Sequence, residues 1–388
     1  MKKTRIIVAA LATAGLLSAM VTAAPVGAAS HPATKTWKVG VVLDVGGVND
    51  KSFNEGSWDG ALGAQKGKFG FKAIPGVKAT YVATPENEDG NTPYYESELN
   101  EFVSKGYNVV IAVGFAMENA IWHSACGMAT PPACNPPHGV KFGIVDGWPT
   151  DDGGNEADLP NVANMQFEAE QSGYLVGYLA GLLDKNKKAP NDKGVIGTLG
   201  GVDYPTVTGY MCGYIQGAHH ADSKIKVVSG FDNTFNDASI AETDGNDEIG
   251  LGANILFQVD GGAGLGFMDA AKNAGDYAIG VDVPQGYLGS YIITSALKGL
   301  SQAVYDTIKK ATSGKFKGGT NYYDLKNHGT GFDTKYLHHI PKAYLADANA
   351  VAKKLESGQL KIAGPNDWDH PVVNYGAGAC TPDTAESF

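Results

Sequence analysis

The residues best suited to chemistry in this chain stand at the ends of short apolar runs. Asp44, Gly114, Asp146, Gly200, Asp260 and Asp282 each close or follow a run rich in β-branched side chains. In open α/β sheets, ligands bind beyond the carboxyl ends of the strands, where the strand order reverses. An aspartate there can accept hydrogen bonds from a ligand, or it can cap the helix that follows. The densest polar stretch is Asp44-Val-Gly-Gly-Val-Asn49-Asp50-Lys51-Ser52-Phe53-Asn54. Only Asp44 and Asp50 bring carboxylates to it, whereas calcium takes about six to eight oxygens, so no metal is expected. The glycine-rich run Gly261-Gly262-Ala263-Gly264-Leu265-Gly266 follows a strand and opens a helix, where backbone N–H groups can face a ligand. Its spacing is not that of a dinucleotide fingerprint. The chain has no G-x-S-x-G, H-E-x-x-H, Walker A or twin C-x-x-C pattern, so neither catalysis nor a bound cofactor is expected.

The elements that must position these residues follow from periodicity. The chain has 388 residues, 43% hydrophobic and 18% charged, with 52 glycines and 18 prolines in no triplet period. This composition is globular and excludes collagen, coiled coil and low-complexity scaffolds. Strands are predicted at 38–43, 79–83, 108–113, 141–145, 195–199, 224–228, 255–259, 278–281 and 291–294, most of them nearly continuous apolar runs. Such runs mark parallel strands covered on both faces. Helices are predicted between them at 52–66, 94–105, 117–124, 168–184, 204–219, 264–275 and 298–311. Alternation of this kind builds βαβ units, and so many strands suit two doubly wound lobes. Gly173, Gly177 and Gly181 share a helix face, which predicts close packing of a soluble helix.

Lys2, Lys3 and Arg5 precede the apolar run from Ile6 to Val21, and small residues follow up to Ala29. This is the pattern of an export signal at 1–29; a signal anchor is the alternative, because the run approaches a membrane-spanning length. The formal charge is −11, more acidic once those basic residues are removed. Nucleic acid and anionic lipid need clustered Lys and Arg, so neither is an expected partner. In an oxidising compartment Cys126 and Cys134, flanking a Pro-rich loop, are expected to form a disulfide. It would contribute about 2.5 kcal/mol through loop entropy. His123 and His138 keep a zinc site as the alternative, and the fate of Cys212 and Cys380 is open.

Several runs occur in a recognisable order: Asn49-Asp50-Lys51-Ser52-Phe53-Asn54, Gly114-Phe115, Phe142-Gly-Ile-Val-Asp146, Phe167 to Gly181, Phe257-Gln-Val-Asp-Gly-Gly262-Ala-Gly264, Ile279-Gly-Val-Asp282 and Thr294-Ser-Ala-Leu-Lys298. Over about 37–326 the chain resembles the basic membrane protein family, substrate-binding components of ABC transporters, several of which bind purine nucleosides. The resemblance implies a type I periplasmic-binding fold, two Rossmann-like lobes joined by three crossovers and closing on a ligand. The lobes are expected at 37–164 plus 296–320 and at 165–295 plus 321–388. By the same resemblance Asp44 and Asp146 bind the ligand from the first lobe, and Phe53 offers a face to its base. Phe257 is the expected second stacking face, with Phe235 as its rival, and Asp282 with Lys298 forms a ribose-binding pair. Asp50, Asn54, Phe115 and Gly262, on the same matched runs, complete the expected ligand-binding set.

The implied function is uptake of a nucleoside by an exported, monomeric binding protein that delivers it to an ABC permease. The alternatives are a binding protein for a sugar or other polar solute, a nucleoside-processing hydrolase, or a sensor that presents its closed form to a receptor. Two features depart from the family pattern. No cysteine precedes Cys126, so no lipid anchor is expected, and Val283-Pro284-Gln285 stands where the family often has x-Asp-Gln.

Overall fold

A computed structural model describes residues 35–84, 92–127 and 139–362. The expected export signal, Cys134, His138, Cys380 and the chain after 362 lie outside the described residues. Two six-stranded sheets organise the rest. The first contains β1 (Trp37–Leu43), β2 (Val77–Ala83), β3 (Val109–Val113), β4 (Lys141–Val145), β5 (Val162–Phe167) and β11 (Gly319–Tyr323), in the order β11-β5-β4-β3-β1-β2. The second contains β6 (Val195–Gly200), β7 (Lys226–Phe231), β8 (Ile255–Val259), β9 (Tyr277–Asp282), β10 (Ile292–Lys298) and β12 (Thr330–Phe332), in the order β12-β10-β9-β8-β6-β7. All neighbours are parallel except β10 and β12. Val109–Val113 and Ile255–Val259 are buried along their whole length, because helices cover both faces of each sheet. That is why these strands read as unbroken apolar runs.

In each sheet the order reverses between the first strand of the unit and the third, between β1 and β3 and between β6 and β8. The chain passes from one sheet to the other after β5, after β10 and between β11 and β12. The helix after each of the first two crossings packs on the other lobe. α4 (Ala169–Lys185) lies against α5 (Pro205–Ala221), and α8 (Leu300–Thr312) supplies Leu300, Val304 and Ile308 to the core around α1 (Phe53–Lys66). Glycines set the α4–α5 approach. A Cβ on Gly173 would lie 2.0 Å from the carbonyl oxygen of Tyr210, and one on Gly177 2.1 Å from that of Tyr214. Reciprocally, a Cβ on Gly213 would lie 2.1 Å from the Glu170 carbonyl oxygen, and one on Gly217 2.0 Å from that of Tyr174. No side chain fits at these points.

Three strands were not expected from the sequence, β5, β11 and β12, and β10, expected to end at 294, runs on to Lys298. Lys298 therefore closes a strand and does not open a helix. Two further helices carried little sequence signal. α6 (Ala238–Gly250) is mostly polar and buries only Ala241, Asp244, Gly245 and Glu248; Asp237 caps it, accepting from the backbone N–H groups of Ser239 and Ile240. α9 (Lys342–Glu356) packs Val351, Ala352 and Leu355 against Tyr174 and Leu175 of α4.

Candidate functional site

The strand ends of the two sheets face each other across a cleft of about 540 Å³, part of it open to solvent. This is the size range of small-molecule sites. Its walls include Asp44, Asp50, Phe53, Asn54, Phe115 and Asp146 from the first lobe, and Tyr210, Phe235, Asp260, Gly261, Asp282 and Lys298 from the second.

The β1–α1 turn is held by its own polar side chains. Asp50 accepts the backbone N–H groups of Ser52 (3.0 Å), Asn54 (2.7 Å) and Glu55 (3.0 Å), so its carboxylate caps α1 as well as bordering the cleft. Burial still lifts it to about 6. The Asn54 side chain accepts from Asp44 N–H at 2.9 Å and donates to the Val45 carbonyl at 3.0 Å. Asp44, fixed in this way, accepts from Val45 N–H at 2.8 Å and from the Tyr95 hydroxyl; burial raises its pKa. Gly114, at φ 118°, leaves the room it needs: a Cβ there would stand 2.6 Å from Asp44 Oδ2.

Lys298 is the cation of the cleft wall. Its ammonium donates to Asp146 Oδ2 and, at 3.1 Å, to the Thr206 hydroxyl, and lies 4.0 Å from Asp282 Oδ1. The rings of Tyr210, Phe53 and Phe167 surround it at 5.0, 5.4 and 5.7 Å. Asp282 accepts from Ser52 Oγ at 2.7 Å across the cleft and from Tyr210 OH at 3.2 Å. Burial raises its pKa and Lys298 opposes the rise. Asp146 and Asp282 both occupy the left-handed region, with φ of 59° and 62°, a conformation that costs a non-glycine residue about 1–2 kcal/mol.

The aromatic walls differ in one respect from expectation. Phe257 is fully buried in the second lobe's core, packed on Tyr214 at 5.0 Å and Tyr210 at 6.2 Å. Its position in mid-strand points it between sheet and helix, and it does not line the cleft. Phe235, in the β7–α6 loop, lines the cleft instead, edge-on to Phe115 at 6.3 Å. Gly262 likewise does not border the cleft, whereas its neighbour Gly261 does. Phe115 stacks on Tyr204 at 3.8 Å, and the Tyr204 hydroxyl donates to Glu118 Oε1 at 2.9 Å. This pair joins the lobes at the cleft margin, and Gln285 Nε2 adds a bond to the Lys51 carbonyl at 3.0 Å. Burial lifts Glu118 to about 7. Sequence reasoning missed Thr206, Tyr210 and Tyr204; the helix they sit on was predicted, but nothing in its pattern tells a cleft-facing tyrosine from a core one.

Among the described residues no cluster of three or more His, Cys, Asp and Glu side chains could hold a metal. No described helix is long and apolar enough to cross a membrane. Cys126 and Cys212 are both disulfide-bonded.

Two parallel-stranded lobes, crossed three times by the chain and facing each other over a polar and aromatic cleft, define the type I periplasmic-binding fold. The solved structures similar to it agree: a solute-binding protein of an ABC transporter system from Aeropyrum pernix K1 (TM-score 0.70, 23% identity, covering 86% of this chain and 95% of that one) and one from Conexibacter woesei (TM-score 0.62, 20% identity, 85% and 99%). The family model described as "ABC transporter substrate-binding protein PnrA-like" matches residues 37–363, and the chain belongs to that family, the basic membrane proteins. Its relatives include an ABC transporter nucleoside-binding protein of Lactococcus lactis subsp. cremoris, 31% identical over 85% of this chain and 91% of that protein. Basic membrane protein D of Borreliella burgdorferi is 30% identical over 76% and 77%. It is thus an ABC transporter substrate-binding protein of a family of extracytoplasmic binding proteins whose members are not enzymes.

Proposed function

We propose that this protein binds a nucleoside, of the purine class, between its lobes and delivers it as a monomer to an ABC permease. The observation that carries the reading is one cleft in which the buried Asp146–Lys298–Asp282 group stands beside the rings of Phe53, Phe115 and Phe235. A vicinal diol donates to carboxylates and accepts from an ammonium, and hydrogen bonds to charged groups contribute about 1.5–3 kcal/mol each. A flat base stacks on aromatic faces for about 1–3 kcal/mol. The cleft wall carries the carboxyls of Asp44, Asp50, Asp146, Asp260 and Asp282 against the one ammonium of Lys298, which favours a neutral nucleoside over a phosphorylated one. The name of the Lactococcus relative supports the same ligand class.

Calorimetry on protein refolded to strip retained ligand, with nucleosides and a panel of sugars, tests it. Submicromolar binding of purine nucleosides with no free base released on incubation is expected. Silence to every nucleoside with a response to a sugar would overturn the ligand, and release of free base would overturn the assignment as a pure binder.

A further inference from the structure

Asp260 follows β8 at the point where the second sheet reverses its strand order, the place where doubly wound sheets take their ligands. It is 1% exposed and lines the cleft, and among the described residues its carboxylate oxygens meet no donor other than the carboxyl of Asp232. A buried acceptor left without a donor is costly. Asp282 stands one strand away, at the end of β9, and Lys298 two strands away, at the end of β10. With strands about 4.8 Å apart, the Asp260 backbone lies about 10 Å along the sheet from that of Lys298. That span matches the separation between the ribose hydroxyls of a nucleoside and the far edge of its base. Resting on the nucleoside reading of this cleft, we infer that Asp260 recognises the base edge and selects a purine with two adjacent N–H donors, the edge of guanine.

Asp232, just beyond β7, adjoins Asp260 and leaves its own Oδ2 without a donor, while its Oδ1 accepts from Thr234 N–H at 3.1 Å. Burial and the Asp232 carboxyl hold the Asp260 pKa well above the usual range, and burial lifts Asp232 to about 6. Two carboxyls so placed share one proton. When guanine binds, that proton rests on Asp232, whose O–H donates to Asp260, and both Asp260 oxygens accept, one from N1–H and one from the exocyclic amine. No charge is gained or lost within the pair. Hypoxanthine offers N1–H alone, and adenine turns a lone pair toward the carboxylate.

The test is a comparison of guanosine, inosine and adenosine binding by wild-type protein and by Asp260→Asn, with thermal unfolding of both. Guanosine and inosine differ only in the 2-amino group, so wild type is expected to prefer guanosine by about tenfold or more, with adenosine weakest. Asn offers one acceptor and one donor, and the guanosine-to-inosine ratio is expected to fall within about threefold. A wild-type ratio near one overturns the assignment even if the variant fails to fold. So does a uniform loss of affinity for all three nucleosides in a folded variant, which would mark Asp260 as merely structural. Both results leave nucleoside binding standing; a cleft that binds none of the three overturns the nucleoside reading together with this one.

Discussion

At one end of the cleft each charge has a counterpart, and at the other a carboxyl has none. The Lys298 ammonium is enclosed by Asp146, Thr206 and Asp282, and Asp282 is bonded in turn by Ser52 and Tyr210. Asp260 is as deeply buried and among the described residues meets only the carboxyl of Asp232, with no cation beside it. The first end is complete before a ligand arrives, so the ribose hydroxyls of the proposed ligand would meet it with little reorganisation. The second waits for the ligand to complete it, which is how a site discriminates between ligands that differ by one donor.

The hardest way to break this contrast is to empty its satisfied end. Lys298→Met leaves Asp146 and Asp282 buried without their cation, and a loss of about 3–5 kcal/mol in denaturant unfolding is expected, together with loss of nucleoside binding. Asp282→Ala leaves a folded protein but removes the ribose acceptor; affinity by calorimetry should drop at least about a hundredfold, and unchanged affinity would sink the ribose assignment. The aromatic walls come next. Phe235→Ala should weaken nucleoside binding by about 1–3 kcal/mol, while Phe257→Leu should lower stability and leave affinity nearly intact. Ser52→Ala removes the bond to Asp282 that spans the lobes and should cost about 1–3 kcal/mol in ligand affinity.

The smallest effect is a pH dependence at the cleft margin. Burial raises Glu118 from the usual 4.5 to about 7. The folded protein therefore holds its proton more tightly than the unfolded chain, so this contribution is full below about pH 4.5 and is lost as pH rises through about 7. Glu118→Gln keeps the acceptor for Tyr204 and abolishes the titration. Its unfolding temperature should match wild type most closely near pH 4.5 and gain on it toward pH 8; a constant difference across that range would contradict the burial argument.

The strand ends were the most legible part of this molecule. A parallel strand covered on both faces must be apolar throughout, so the first polar residue marks where it leaves the sheet, and Asp44, Asp146 and Asp282 follow from that alone. Phe257 shows the limit. It sits in an apolar run three residues before Asp260, and sequence cannot tell a strand phenylalanine from one at a ligand when both lie close to a strand end. Phe235 belongs to a polar loop and is brought to the cleft only by tertiary packing. The polar helix α6 was hidden because a helix held by a cap and a narrow buried face has almost no periodic signal.

The equal places of Asp146 and Asp282 have one more consequence. β4 and β9 are each third in their sheet order, and Asp146 just after the one and Asp282 at the end of the other both have φ near 60°. The two lobes thus repeat one strand order and set an aspartate at the same place in it, an approximate symmetry of the chain. A nucleoside has no such symmetry, and the protein breaks its own by substitution at matched sites: Lys298 closes β10 where Phe167 closes β5, and Asp260 follows β8 where Gly114 follows β3. The direction in which a ligand lies in the cleft is therefore written in the few positions where one half of the molecule fails to copy the other.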